Sequence, residues 1–214
     1  MTDRTGMQLL DLAERKVFKG GIWVFAEQCG DQVHPVAFEL LGRSRQLATD
    51  LRIRLTAVLI GSGITQQATD LIYGGADDVL LCDDASLTGL PEDGCTALLS
   101  DLVLLHQPDI FLFGATAFGR SVAPRVAARV KTGLTADCTR LDIDPETGLL
   151  LQTRPAFGGN LMATIVTDRH KPQMATVRPG VLPGLSSDRS RRGTICTVAP
   201  PPVTGRVVEL ARMM

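Results

Sequence analysis

The 214-residue chain fits one large domain, or one domain with an arm. Its 44% hydrophobic content excludes wholesale disorder. With 22 Lys+Arg against 23 Asp+Glu and a formal net charge of −1, it offers no overall basic field to nucleic acid or an anionic membrane. No uninterrupted apolar run approaches the ~20 residues needed to cross a bilayer. The N-terminal residues mix acids with bases and lack the order of a secretory signal. A cytoplasmic protein without membrane insertion is the expectation.

From Gly20 onward, short apolar runs alternate with helical patterns. The runs Ile22–Ala26, Ile53–Ile60, Val79–Cys82 and Ile110–Gly114 are continuously apolar, as strands buried on both faces of a parallel sheet are. Val36, Leu40, Leu47 and Leu51 recur at helical spacing. Thr65–Tyr73 forms a second helical segment ahead of Gly74 and Gly75. Leu98, Leu99, Leu102, Val103 and Leu105 form a third before Pro108. Successive strands start roughly 30 residues apart, the length of a βαβ unit. A fourth helix passes through Val122, Val126 and Val130. Pro124 sets its start near Gly119–Ser121, because proline is tolerated in a first turn.

Beyond Thr132 the rhythm changes. Arg140–Ile143, Leu149–Arg154, Leu161–Thr167 and Met174–Arg178 read as short strands separated by turns, a β-meander decorating the α/β core. Pro183–Pro202 reads as a linker or extended arm, followed by a short strand at Val203–Leu210. The expected organisation is an arm over 1–19, an α/β domain over 20–182, and a linker with a terminal strand over 183–214.

Three places are able to carry chemistry. Gly61-Ser62-Gly63 closes the second strand, where backbone amides can reach a phosphate. Gln66 stands where a third glycine would be, so a simple tight turn is the other reading. Gly114–Arg125 delivers Thr116, Gly119, Arg120 and Ser121 to a helix start that favours an anion. Alternatively, Thr116 only caps that helix and Arg120 is solvated. Arg154–Asn160 is a rigid turn carrying Arg154 and Phe157, either structural or suited to a partner interface.

The pairs Asp77–Asp78 and Asp83–Asp84 flank a strand and read as solvated loop charges. Cys29, Cys82, Cys95, Cys138 and Cys196 form no C-x-x-C pair and read as inert thiols. His34, His106 and His170 are far apart in sequence and have no ligand-like neighbours. With no hydrolase elbow, zinc motif or Walker A sequence, the chain carries no catalytic constellation and is not expected to be an enzyme.

Five ordered blocks fit one family: Gly21–Gln28, Gly114–Arg129, Thr132–Cys138, Thr153–Thr164 and Gln173–Gly180. Together they resemble the N-terminal domain of the electron transfer flavoprotein alpha subunit, over about residues 20–210. The resemblance implies a three-layer α/β/α domain with a mainly parallel, Rossmann-like sheet of the adenine nucleotide alpha hydrolase-like type and a β-rich C-terminal extension. It also implies a heterodimer with the electron transfer flavoprotein beta subunit. Through FAD, that heterodimer passes electrons between acyl-CoA dehydrogenases or similar flavin dehydrogenases, as in fatty acid β-oxidation, and a quinone-linked oxidoreductase.

In the family the flavin-contacting residues lie in a second domain, of which this chain holds none. FAD is therefore expected in the complete heterodimer and not in this chain alone. The opening Gly21–Gln28 and Glu39–Gly42 look most like bacterial members, including electron-bifurcating ones with a second flavin in the beta subunit. The residues placed to border that flavin are Arg154, Phe157, Thr116 and Arg120. The alternative is a free-standing adenine-nucleotide module built on Gly61–Gly63 and Thr116–Arg120.

Overall fold

A computed structural model describes residues 18–200, apart from 31, 90, 157, 159 and 160. The expected terminal strand at 203–210, nearly all of the arm and the side chain of Phe157 lie outside the described residues.

β1 (Ile22–Ala26) is buried at every position and forms the middle of the main sheet. β4 (Leu55–Gly61) and β5 (Asp78–Asp83) extend the sheet on one side of it, and β6 (Ile110–Gly114) on the other. β7 (Leu134–Cys138), β11 (Gln173–Val177) and β12 (Thr194–Thr197) complete seven strands in the order β12-β5-β4-β1-β6-β11-β7. Every pairing in that sheet is parallel.

Alternation along β1 splits the core. Ile22, Val24 and Ala26 pack with Leu40, Leu41, Leu47 and Leu71, from α1 (Pro35–Leu51) and α2 (Thr65–Tyr73). Trp23 and Phe25 face Leu99, Leu102, Val122 and Val126, from α3 (Glu92–His106) and α4 (Ala117–Arg129). The fold is therefore three layers, α/β/α, as expected.

The β-rich part differs from the expected meander. β8 (Arg140–Ile143), β9 (Leu150–Ala156) and β10 (Leu161–Ile165) form a separate antiparallel sheet with β9 in the middle. β11 instead inserts between β6 and β7, and its five residues are buried. The run QMATV is short enough to suit either a meander or a fully buried parallel strand, and periodicity alone does not separate them. β7 was missed because its burial is mixed. The short strands β2 (Gln28–Cys29) and β3 (Gln32–Val33) form a hairpin.

The segment read as a linker is held against the domain. The Gly180 N–H donates to both Glu39 carboxylate oxygens, at 3.0 and 2.8 Å. A Cβ on Gly42 would stand 2.7 Å from the Pro183 carbonyl oxygen, so only glycine lets the segment cross α1 this closely. β12 then pairs in parallel with β5. A proline- and serine-rich composition signals lack of helix better than lack of contact.

Pro124 also departs from expectation. α4 begins at Ala117 under a Thr116 cap and carries Pro124 inside it, which deprives the Arg120 carbonyl of its usual intrahelical donor.

Two of the acids read as solvated are structural. The Asp78 side chain is fully buried, and Arg54 grips both its oxygens, Nε–Oδ2 at 2.5 Å and Nη2–Oδ1 at 2.7 Å. Asp77 accepts from Arg45 at 2.7 Å and from the Leu55 N–H at 2.9 Å. Both acids tie the amino ends of β4 and β5 together, and the Arg54 stem carries its charge out to solvent. Removing Arg54 would leave a buried carboxylate unpaired, which costs several kcal/mol. Arg54→Ala is expected to lower unfolding stability by on the order of 3 kcal/mol at neutral pH, read by urea denaturation. A loss below ~1 kcal/mol, the range of an ordinary surface pair, would refute this role.

Candidate functional site

A parallel sheet covered by helices on both faces presents its ligand-binding crevice beyond the carboxyl ends of its strands. Here that edge carries Glu27 after β1, Gly61–Gly63 after β4, Asp83 at the end of β5 and Thr116 after β6. Asp137 lies near the end of β7, and Arg178 follows β11.

Gly61-Ser62-Gly63 does build an anion cradle at the start of α2, and the chain fills it itself. Asp83 accepts from the Gly63 N–H at 2.6 Å, the Ile64 N–H at 3.0 Å and the Thr65 hydroxyl at 2.8 Å. Desolvation opposes its ionisation, yet the hydrogen bonds from Thr65 and the loop amides hold the Asp83 carboxyl below the ordinary carboxylate range. Asp83 is thus a helix cap in the place a phosphate would take. Asp84 accepts from the Ser86 N–H at 2.8 Å and caps the next turn.

The start of α4 is closed in a similar way. The Thr116 hydroxyl accepts from the Gly119 N–H at 2.9 Å and donates to Glu27 at 2.5 Å. A Cβ on Gly119 would meet the Gly114 carbonyl oxygen at 2.0 Å, so glycine is what lets the helix begin this close to the strand. Glu27 is 8% exposed. Burial pushes its carboxyl pKa up, partly offset by the Thr116 hydroxyl and the nearby His34. The capping role read for Thr116 is present, with an internal acid added to it.

Arg120 is not simply solvated. It holds Asp137 through Nε–Oδ1 at 3.1 Å and Nη2–Oδ2 at 3.2 Å, and Arg178 approaches the same carboxylate at 3.9 Å. Arg154 lies on β9 opposite Ala163, on the strand face shared with the fully buried Leu150 and Gln152. Asp142 pairs with Arg43 and Arg140, and Asp144 caps the turn at Glu146 and Thr147. Arg154 therefore makes neither of the ion pairs with Asp142 or Asp144 that a purely structural role would use. It is close enough to Cys138 for its charge to oppose the burial that drives that thiol up to about 12. Beside it, the buried Gln152 amide has no hydrogen-bond partner among the described residues.

The structure thus brings Thr116 and Arg120 to the carboxyl edge, with Arg120 on Asp137, and places Arg154 on β9, whose neighbour Thr153 accepts from the Thr139 N–H just past β7. Phe157 lies outside the described residues. Sequence reasoning missed Glu27, Asp137 and Arg178. Glu27 and Arg178 stand just past β1 and β11, where a look at the residue after each strand finds them, whereas Asp137 lies inside β7, a strand the sequence does not announce.

The other chemistries find no footing here. Among the described residues no group of three His, Cys, Asp or Glu is placed to hold a metal ion. Among the same described residues, no helix is long and apolar enough to cross a membrane. Cys95 is driven up by burial and Cys82 to about 11, as inert thiols are. At the opposite edge of the sheet, a cleft of about 590 Å³ is lined by Lys19, Gln107, Asp109 and Lys171. There Asp109 and Lys171 already neutralise each other at 2.5 Å.

Comparison with known proteins agrees with this layout. A family model described as the electron transfer flavoprotein domain matches residues 22–203. The electron transfer flavoprotein subunit alpha of Clostridium acetobutylicum is 53% identical over 161 residues, 75% of this chain and 48% of that protein. Protein FixB of Clostridium saccharobutylicum is 51% identical over 168 residues, covering 78% and 50%. The lactate dehydrogenase (NAD(+),ferredoxin) subunit LctC of Acetobacterium woodii is 46% identical over 158 residues, covering 74% and 38%. The chain spans about half the length of the curated relatives it matches. It belongs to the electron transfer flavoprotein family and matches the N-terminal domain of the alpha subunits.

Proposed function

We propose that this chain is the scaffold and docking part of a cytoplasmic alpha–beta heterodimer that carries electrons between a flavin dehydrogenase and an acceptor. One observation carries the reading. Both phosphate-type cradles at the carboxyl edge are occupied by the chain's own side chains, Asp83 and the Thr116–Glu27 pair, while the adjoining basic and apolar surface is left open. Such an arrangement suits a domain that meets a cofactor held by another chain. It argues against the free-standing adenine-nucleotide module, whose binding loop would have to expel Asp83.

The donor class is a flavin dehydrogenase, of which an acyl-CoA dehydrogenase in fatty acid β-oxidation is one case. The names of the relatives, FixB and a lactate dehydrogenase subunit among them, make other donors equally compatible. FAD, when bound in the assembled protein, supplies the electron-accepting and electron-donating chemistry. This chain contributes binding, orientation and charge. Thr116 and Arg120 border the site from the α4 side, and Arg154 from the β9 side. The residue before a proline is biased toward extended backbone, so Pro155 helps fix the strand end that projects the Arg154 guanidinium. A positive charge there stabilises the reduced, more anionic state of a neighbouring flavin. Thr116, with its hydroxyl committed to Glu27 and Gly119, keeps the α4 start rigid.

The docking surface is the antiparallel sheet. β10 is one of its two edge strands, and Leu161 and Met162 on it are 59% and 57% exposed. An unpaired apolar edge is a site for a partner.

Two outcomes follow. In the reconstituted heterodimer, Arg154→Ala should make the potential of the neighbouring flavin more negative by roughly 30–60 mV, the two-electron equivalent of losing one charge-assisted contact. Assembly should be unchanged. Altered stability with an unmoved potential would make Arg154 structural. Hydrogen exchange should show new protection within 141–181 on addition of the beta subunit, centred on β10. Protection confined to α1 or α2 would place the interface elsewhere.

A further inference from the structure

At the carboxyl edge, two guanidinium groups, those of Arg120 and Arg178, face one carboxylate, that of Asp137. Asp137 has φ +60°, a left-handed conformation uncommon for a residue with a side chain. Its N–H is fixed on the Thr176 hydroxyl at 2.9 Å. Its carboxylate faces Arg120, which takes both oxygens, and Arg178, which approaches one of them at 3.9 Å. A single carboxylate satisfies one guanidinium fork at a time, so Arg178, 46% exposed, keeps donors to offer.

Two local rules are broken at the same carboxylate. Arg120 is in the first turn of α4, where the helix dipole disfavours a cation, and that turn holds no acidic residue. Asp137 adopts a backbone conformation that costs energy in most residues. Features of this kind collect at functional sites. Glu27 is turned inward onto Thr116, and Glu92 and Asp93 are taken up by Ser121 and Arg125 of α4.

We propose that Arg120, Arg178 and Asp137 form a site for a phosphoryl group, in which the Asp137 carboxylate is a resident stand-in that the phosphate displaces. One guanidinium fork and a second guanidinium at one small anion, beside a helix start, suit a tetrahedral dianion better than a monovalent carboxylate. The phosphoryl group arrives on a free nucleotide or on a dinucleotide cofactor held by a partner chain. Only the second source rests on the electron-carrier reading.

Isothermal titration of the 214-residue chain with inorganic pyrophosphate at low ionic strength tests the site. Asp137→Asn removes the resident charge and keeps a residue that accepts the left-handed backbone. It should bind pyrophosphate at least about tenfold more tightly than the parent chain, with affinity falling steeply as salt rises. Adding Arg178→Gln to that variant should abolish binding, whereas Arg192→Gln, away from the cluster, should not.

Equal affinity of parent and Asp137→Asn chains, binding that survives loss of Arg178, or no saturable binding by either chain at millimolar pyrophosphate would overturn the proposal. Should Asp137→Asn fail to fold, Arg178→Gln and Arg120→Gln in the parent chain must each remove whatever saturable binding the parent shows. ADP binding at least as tightly as pyrophosphate identifies a free nucleotide as the source. Rejection of ADP with pyrophosphate retained assigns the phosphate to a partner-held cofactor. None of these measurements involves flavin, so failure here leaves the Arg154 redox test undisturbed.

Discussion

The rest of the structure depends on a parallel sheet covered by helices on both faces. Such a sheet is stable only when its strands are apolar on both sides, and it leaves its two ends as the places where polar groups gather. At the amino ends of β4 and β5, the buried Asp78 carboxylate is neutralised by Arg54, and Asp77 is held by Arg45 and a backbone amide. At the carboxyl ends, the helix starts bring together backbone donors that favour anions. The chain answers most of them internally, with Asp83 on α2 and Thr116 backed by Glu27 on α4. Around Asp137, near the end of β7, two guanidinium groups face a single carboxylate.

That distribution links fold to role. A nucleotide-binding α/β domain keeps its crevice open, whereas this one closes it with side chains that do not leave without destabilising the helix starts they cap. The remaining open surface is the antiparallel sheet and the arginine cluster beside it, which together offer an edge strand, exposed apolar side chains and positive charge. These are the features of a surface that meets another protein and its anionic contents, and they fit a family whose members are electron carriers.

Much of the fold was legible in the sequence. β1, β4, β5 and β6 announced themselves as unbroken apolar runs, because burial on both faces leaves no room for alternation. The helices were legible from period alone, although Pro124 misled the placement of the α4 start. The Thr116 cap and the close approach at Gly119 outweigh the one hydrogen bond that Pro124 removes. β11 and β12 were not assigned to the sheet, since a short strand says nothing about which sheet it joins. β12 in addition sits in a proline-rich stretch held by contacts to α1 and β5 that are distant in sequence. At the site, Thr116, Arg120 and Arg154 were found because motifs drew attention to them. Asp83 reads in the sequence as a loop charge, and Asp137 and Arg178 carry no local signal, because their importance comes from partners 17 to 41 positions away along the chain.

On the proposed reading the chain is a domain without a cofactor of its own, which meets flavin only through a partner. That reading is tested most directly by the visible spectrum of the purified chain, alone and after assembly with a beta subunit. No flavin absorbance from the chain alone, with flavin retained by the assembled protein, is the predicted result. Stoichiometric flavin bound to the chain alone would contradict it.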